Sequence, residues 1–96
     1  MPKCNVSLQV IPNVSEEKIY EIVDKVIELI RDSGVKYMVG PMETTMEGEL
    51  DELLAIVQKA QIVCVQAGAK RVCSVVKIDY SPGGVTIDEK VGKYRD

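Results

Sequence analysis

Two runs of helical periodicity, each bracketed by short stretches that alternate apolar with polar residues, restrict this chain more than any other feature. Cys4, Val6, Leu8 and Val10 alternate with Asn5, Ser7 and Gln9. Residues 4–11 therefore read as a strand with one face in a core and the other in wetter surroundings. Pro12-Asn13 ends it, and Ser15 stands as an N-cap ahead of Glu16 and Glu17, which suit the positive end of a helix. Val14 and Ile19 have the spacing of a hydrophobic staple. Ile19, Ile22, Val23, Val26, Ile27 and Ile30 follow at helical intervals, and Gly34 supplies the stop.

Val35 to Val39 is a short strand, Gly40-Pro41 a bend, and Glu43 to Glu47 a second short strand. No helix fits between the two, so they form a hairpin or a bent ribbon. The second helix opens near Gly48-Glu49 and runs to about Ala67, where Gly68 ends it. Its stripe is Leu50, Leu53, Leu54, Val57, Ala60, Cys64 and Ala67. Ile56 and Val63 widen that stripe beyond one core face and Ile62 lies apart, which suggests a contact between subunits. Arg71 to Tyr80 is a long strand, with Val72, Val76 and Ile78 on one face and Cys73, Val75, Lys77 and Asp79 on the other. After the turn Ser81-Pro82-Gly83-Gly84, weak alternation through Val85, Ile87 and Val91 predicts one more strand with a charged end.

The order β-α-β, β-α-β describes two split βαβ units. It predicts an α+β, ferredoxin-like βαββαβ sandwich: a four-stranded antiparallel sheet in the order 4-1-3-2, both helices on one face, plus an additional C-terminal strand. Residues 1–96 then form a single domain, with 81–96 as the C-terminal turn and extra strand.

Composition removes several functions. The chain has no His, so the usual general base and the commonest metal ligand are missing. It has no Phe or Trp, and 12 Lys+Arg against 15 Asp+Glu leave a net charge of −3, which speaks against nucleic acid. Neither a P-loop nor GxGxxG is present, and the metal-binding Cys loop of ferredoxin-like metallochaperones and the aromatic strands of RNA-recognition modules are absent. Carboxylate pairs such as Glu16-Glu17, Asp51-Glu52 and Asp88-Glu89 read as exposed charge. The three cysteines are odd in number and lack CxxC spacing, so we expect neither a disulfide framework nor a zinc site. They read as small buried hydrophobes in a reducing cytoplasm. No apolar run reaches the roughly 20 residues of a membrane span, and Met1-Pro2-Lys3-Cys4-Asn5 opens into a strand pattern without a signal-peptide core. The expectation is a cytoplasmic, non-catalytic domain without cofactor or metal.

With both helices on one side, the opposite sheet face needs an account. Alternation assigns it Asn5, Ser7 and Gln9 from the first strand and Thr45 and Glu47 from the third. One reading is a solvated face, which antiparallel sheets often have. The other is a polar pocket floor, roofed by a second subunit or by the C-terminal extension, whose groups need hydrogen-bonding partners. Glu47 would accept from amino or ring N–H groups and favour a cation, and the Thr45 hydroxyl donates or accepts. Gly48 allows the sharp turn that follows.

Several segments in order resemble the small thiamine-binding protein family. They are Ser7-Leu8-Gln9-Val10-Ile11-Pro12, Ser33-Gly34-Val35-Lys36-Tyr37 and Gly40-Pro41-Met42-Glu43-Thr44-Thr45-Met46-Glu47-Gly48, followed by Ala67-Gly68-Ala69-Lys70-Arg71-Val72 and Lys77-Ile78-Asp79. The resemblance covers roughly residues 4–80. It implies a ferredoxin-like fold assembled into homo-dimers or homo-tetramers through sheet contacts. It also implies binding of thiamine, or of its hydroxymethylpyrimidine portion, without chemistry. Carried onto this chain, it places a pocket at Thr45, Glu47, Tyr37 and the first-strand residues Asn5, Ser7 and Gln9, with Tyr37 either offered for stacking or packing as an edge-strand aromatic. Tyr80-Ser81-Pro82-Gly83-Gly84 departs from the family, where an Arg-containing acidic turn is expected. The alternative expectation is a regulatory or structural homo-oligomer whose open sheet face is only a protein interface.

Overall fold

The computed structural model describes residues 3–95. Strand β1 (Cys4–Pro12) leads into helix α1 (Glu16–Asp32), then strands β2 (Lys36–Val39) and β3 (Thr44–Gly48). Helix α2 (Leu50–Gln66), strand β4 (Val72–Asp79), a short helix α3 (Ile87–Val91) and a 3-10 turn at Gly92–Tyr94 complete the order. The four strands form one antiparallel sheet ordered β2-β3-β1-β4, so the two halves interlock with β1 and β3 at the centre.

Both long helices begin with two acidic residues in their first turn, which suits the partial positive charge there. Ser15 and Glu49 occupy the N-cap positions in extended conformation, but neither side chain makes a capping hydrogen bond. Gly34 (φ 84°) and Gly68 (φ 111°) follow the helix ends in the left-handed region that L side chains avoid.

The apolar face of β1 and β3 presents Cys4, Val6, Leu8 and Met46 to the helices. From α1 come Ile22, Val26 and Ile30, and from α2 come Leu53, Ile56, Ala60 and Cys64, all buried. Ile56 thus belongs to the core rather than to an additional surface stripe. Leu54, expected in the core stripe, is exposed, together with Ile62 and Val65. The stripe keeps Leu53, Ala60 and Cys64 and widens toward Ile56 and Val63, because α2 packs on both the sheet and α1.

The C-terminal segment is not a strand. Thr86-Ile87-Asp88-Glu89 has the S/T-x-x-E spacing of a helix start, and the Thr86 hydroxyl accepts from the Glu89 amide at 3.1 Å. The Ser81–Gly84 turn closes through the Gly84 amide and the Ser81 carbonyl at 2.8 Å. The Val85 amide then donates to the Lys3 carbonyl at 3.1 Å, and Ile87 is buried. Met1 and Pro2, ahead of the first expected strand, and Asp96, the last residue of the expected C-terminal strand, lie outside the described residues.

Cys4 and Cys64 are buried, and burial pushes both thiols above their ordinary range, with the Asp79 carboxylate adding to the effect at Cys4. Cys73 departs from expectation: it is exposed, opposite Ile11 on the edge strand, where no helix covers it. All three cysteines are free.

Candidate functional site

Strand register builds the site row by row on the face away from α1 and α2. The first row crosses the sheet as Lys36, Glu47, Asn5 and Asp79; the second as Met38, Thr45, Ser7 and Lys77. Gln9 pairs with Val75 in the next row and Ile11 with Cys73 beyond it. Five of the six expected site residues, Asn5, Ser7, Gln9, Thr45 and Glu47, therefore share one face, because residues two apart on a strand point the same way. Tyr37 does not join them. It pairs with Met46 and packs against the core on the helix side, so its ring is turned away from the polar floor.

The second row satisfies itself. The Ser7 and Thr45 hydroxyls are 2.7 Å apart, one donating to the other. Lys77 reaches Glu43 at 2.9 Å, which brings Glu43 to this face beside Ser7. The hydrogen bond from Lys77, with a smaller one from Ser7, holds the Glu43 carboxyl below the usual carboxylate range against a modest opposing effect of burial.

The first row is covered from above. Helix α3 lies over it, and the Ile87 amide donates to Glu47 Oε1 at 2.6 Å. Lys90 Nζ donates to Asn5 Oδ1 at 2.7 Å and also pairs with Asp79. Lys36 and Asp88 meet at 2.7 Å, and that hydrogen bond raises the Lys36 ammonium above its ordinary range. Asn5 is only 3% exposed and Glu47 8%, so the centre of the first row is dry although polar, while Lys36 and Asp79 at its ends stay exposed. Asn5 Nδ2 has no hydrogen-bond partner, the one such buried side-chain atom among the described residues. A buried donor left unmatched costs about 1–3 kcal/mol.

A cleft of about 400 Å³ opens where β3 turns into α2, lined by Lys3, Lys36, Glu47, Gly48, Glu49 and Glu52 among others. Another, about 240 Å³ and largely apolar, lies between α1 and the 39–44 turn. Among the described residues no group of three or more His, Cys, Asp or Glu is placed to hold a metal ion. No helix there is long and apolar enough to cross a membrane. The polar face offers donors and acceptors for recognition: two hydroxyls, two carboxamides, the carboxylates of Glu43, Glu47 and Asp79, and flanking lysines.

Sequence alternation found the floor but missed much of its surroundings. Met38 and Lys36 join it because β2 pairs with β3, and Glu43 because it continues the β3 alternation one step outward. Lys90 and Ile87 join it only because α3 folds across the sheet. The Thr86…Glu89 spacing was the available signal for that helix.

Comparison with known proteins agrees with this architecture. A UPF0045 protein of Clostridium perfringens is 64% identical over 95 residues, which cover 99% of this chain and 100% of that one. A solved DUF77 domain from Bacillus cereus superposes with a TM-score of 0.91 at 53% identity, covering 99% of this chain and 92% of that one. A candidate thiamine biosynthesis/salvage protein of Thermotoga maritima superposes equally well, TM-score 0.91, at 45% identity, covering 98% of this chain and 100% of the other. The family model described as thiamine-binding protein matches residues 6–95. With a match that runs through β1, the polar floor, β4 and α3, the chain belongs to the thiamine-binding protein family.

Proposed function

We propose that this protein binds thiamine, or its hydroxymethylpyrimidine portion, without transforming it. The site is the Asn5–Glu47 end of the polar sheet face, and the working unit is a cytoplasmic homo-oligomer in which a second copy helps to enclose it. The observation that carries the reading is the pairing of Asn5 with Glu47 across β1 and β3, with the Asn5 amide nitrogen buried and unmatched. An aminopyrimidine edge places an amino donor next to a ring-nitrogen acceptor. A carboxylate and a carboxamide N–H set side by side complement that edge. Ser7, Gln9 and Thr45 extend the polar floor, and Met38, opposite Thr45, offers a polarizable thioether to the ring. A stacking role for Tyr37 has no place in this site, since that ring lies on the other face.

Calorimetric titration with thiamine and with hydroxymethylpyrimidine tests the proposal. Glu47→Gln keeps an oxygen for the Ile87 amide while removing the charge, so the fold is expected to survive and affinity to fall about tenfold or more. Absence of heat and of any thermal shift at millimolar ligand rejects the reading; unchanged affinity in Glu47→Gln moves the site elsewhere.

A second reading has its own support. Ile11 and Val75 on the open face and Ile78 on β4 are each about half exposed, on a strand whose outer edge is unpaired. Such a surface suits sheet-to-sheet contact between copies, with the face serving only as an interface. A concentration-independent oligomer that ignores both ligands would favour it.

A further inference from the structure

Resting on that reading of the Asn5–Glu47 site, we infer that residues 81–95 are a displaceable strap that closes the site and competes with the ligand for it. Helix α3 has five residues, too few to be stable by itself. What holds it is a short set of contacts to the sheet. Ile87 is its one buried apolar side chain. Its amide occupies Glu47 Oε1, Lys90 occupies Asn5 Oδ1 and Asp79, and Asp88 takes Lys36. Two of these, Lys90–Asp79 and Lys36–Asp88, join side chains that are largely solvent-exposed, where ion pairs hold weakly. At the near end the segment is tethered by Ser81-Pro82-Gly83-Gly84, and Gly84 sits at φ 86° against the Lys3 backbone. That turn offers two adjacent glycines as a hinge.

The closed state is also incomplete. It buries Asn5 and Glu47 together but leaves Asn5 Nδ2 without an acceptor, so closure by the strap satisfies the floor less well than a ligand carrying a ring nitrogen would. The Ile87 amide lies 2.6 Å from Glu47 Oε1, and both residues are buried, so the segment fills the space through which an incoming amino group would reach that carboxylate. Ligand entry at Glu47 therefore shifts the strap outward, and the observed affinity is the intrinsic one reduced by the fraction of chains with the strap released.

The experiment combines hydrogen exchange with titration on the full chain. In the ligand-free protein the amides of residues 85–91 are expected to exchange about tenfold or more faster than those of β1, through local opening. Thiamine is expected to accelerate them further. The double variant Asp88→Asn/Lys90→Ala removes the ion pair with Lys36 and the contacts to Asn5 and Asp79 without changing net charge. It should tighten binding of both cationic thiamine and neutral hydroxymethylpyrimidine by about threefold or more, since more chains are open. Strap amides that exchange no faster than β1 would overturn the inference, because the segment would then open only with the whole fold. So would unchanged or weaker affinity in the variant, which would make the strap a fixed wall, or tightening for thiamine alone, which would trace to local charge. Fast strap exchange with no binding of either ligand by either chain would support release of the strap and reject the thiamine reading.

Discussion

Replacing Asn5 by leucine should make the ligand-free protein more stable, an unusual outcome for a residue at the centre of a sheet. Asn5 is 3% exposed and its Nδ2 donor is unmatched, so the folded state carries a desolvation penalty that the unfolded chain does not. Removing that donor recovers about 1–3 kcal/mol. The loss on the other side is the hydrogen bond from Lys90 to Oδ1. Lys90 keeps Asp79 as a partner and its side chain is 43% exposed, so it finds water or the carboxylate again at a cost of about 0.5–1 kcal/mol. Leucine has a similar outline and suits a strand better than asparagine. The net expectation is a gain of about 1 kcal/mol, which for a domain of this size raises Tm by roughly 4–8 °C. Thermal unfolding followed by circular dichroism, at one fixed protein concentration so that assembly does not shift the midpoint, measures it. Thiamine affinity should fall in the same variant. A lower Tm in Asn5→Leu would refute the reasoning, since it would mean that the amide is fully matched in solution and that its polarity holds the fold.

Other consequences are testable with single changes. A Cβ at Gly40 would stand 2.8 Å from the Glu43 carbonyl, which also accepts the Gly40 amide, so Gly40→Ala should cost about 1–3 kcal/mol in urea unfolding. Because Lys77 depresses the Glu43 carboxyl in the folded state, the pair contributes stability above the ordinary carboxylate range and loses it as pH falls through the depressed value. An NMR titration should place the Glu43 midpoint below that of a free glutamate, and Lys77→Met should return it upward. Among the thiols, Cys73 should react with Ellman's reagent well before Cys4 and Cys64, which are buried and harder to ionise; equal rates for all three would contradict the burial described.

Most of the fold was legible because it rests on local rules. The alternation of Cys4 to Gln9, the stripe from Ile19 to Ile30 and the glycines after each helix mark elements that DNA-encoded order alone places in sequence. Partner choice was less legible. Alternation puts Tyr37 and Lys36 on opposite faces of β2 but does not say which faces the helices; pairing of Tyr37 with Met46 decides that. Cys73 reads as a small apolar residue, and only its place on an edge strand exposes it. The last segment failed for a different reason. Val85, Ile87 and Val91 alternate too weakly to define a strand, and the Thr86 hydroxyl with Glu89 starts a helix instead.

What the amino-acid order settled by itself was the succession of strands and helices as far as Asp79 and the gathering of Asn5, Ser7, Gln9, Thr45 and Glu47 on one sheet face. Periods of two and 3.6 are properties of the backbone and act within a few residues. What only the folded chain decided was the state of those groups. Glu47 holds the Ile87 amide and Asn5 the Lys90 ammonium across 40 and 85 positions of sequence, contacts that no local pattern encodes. They form because the polar floor needs partners once it is covered, and the short helix that covers it leaves one amide of Asn5 unmatched.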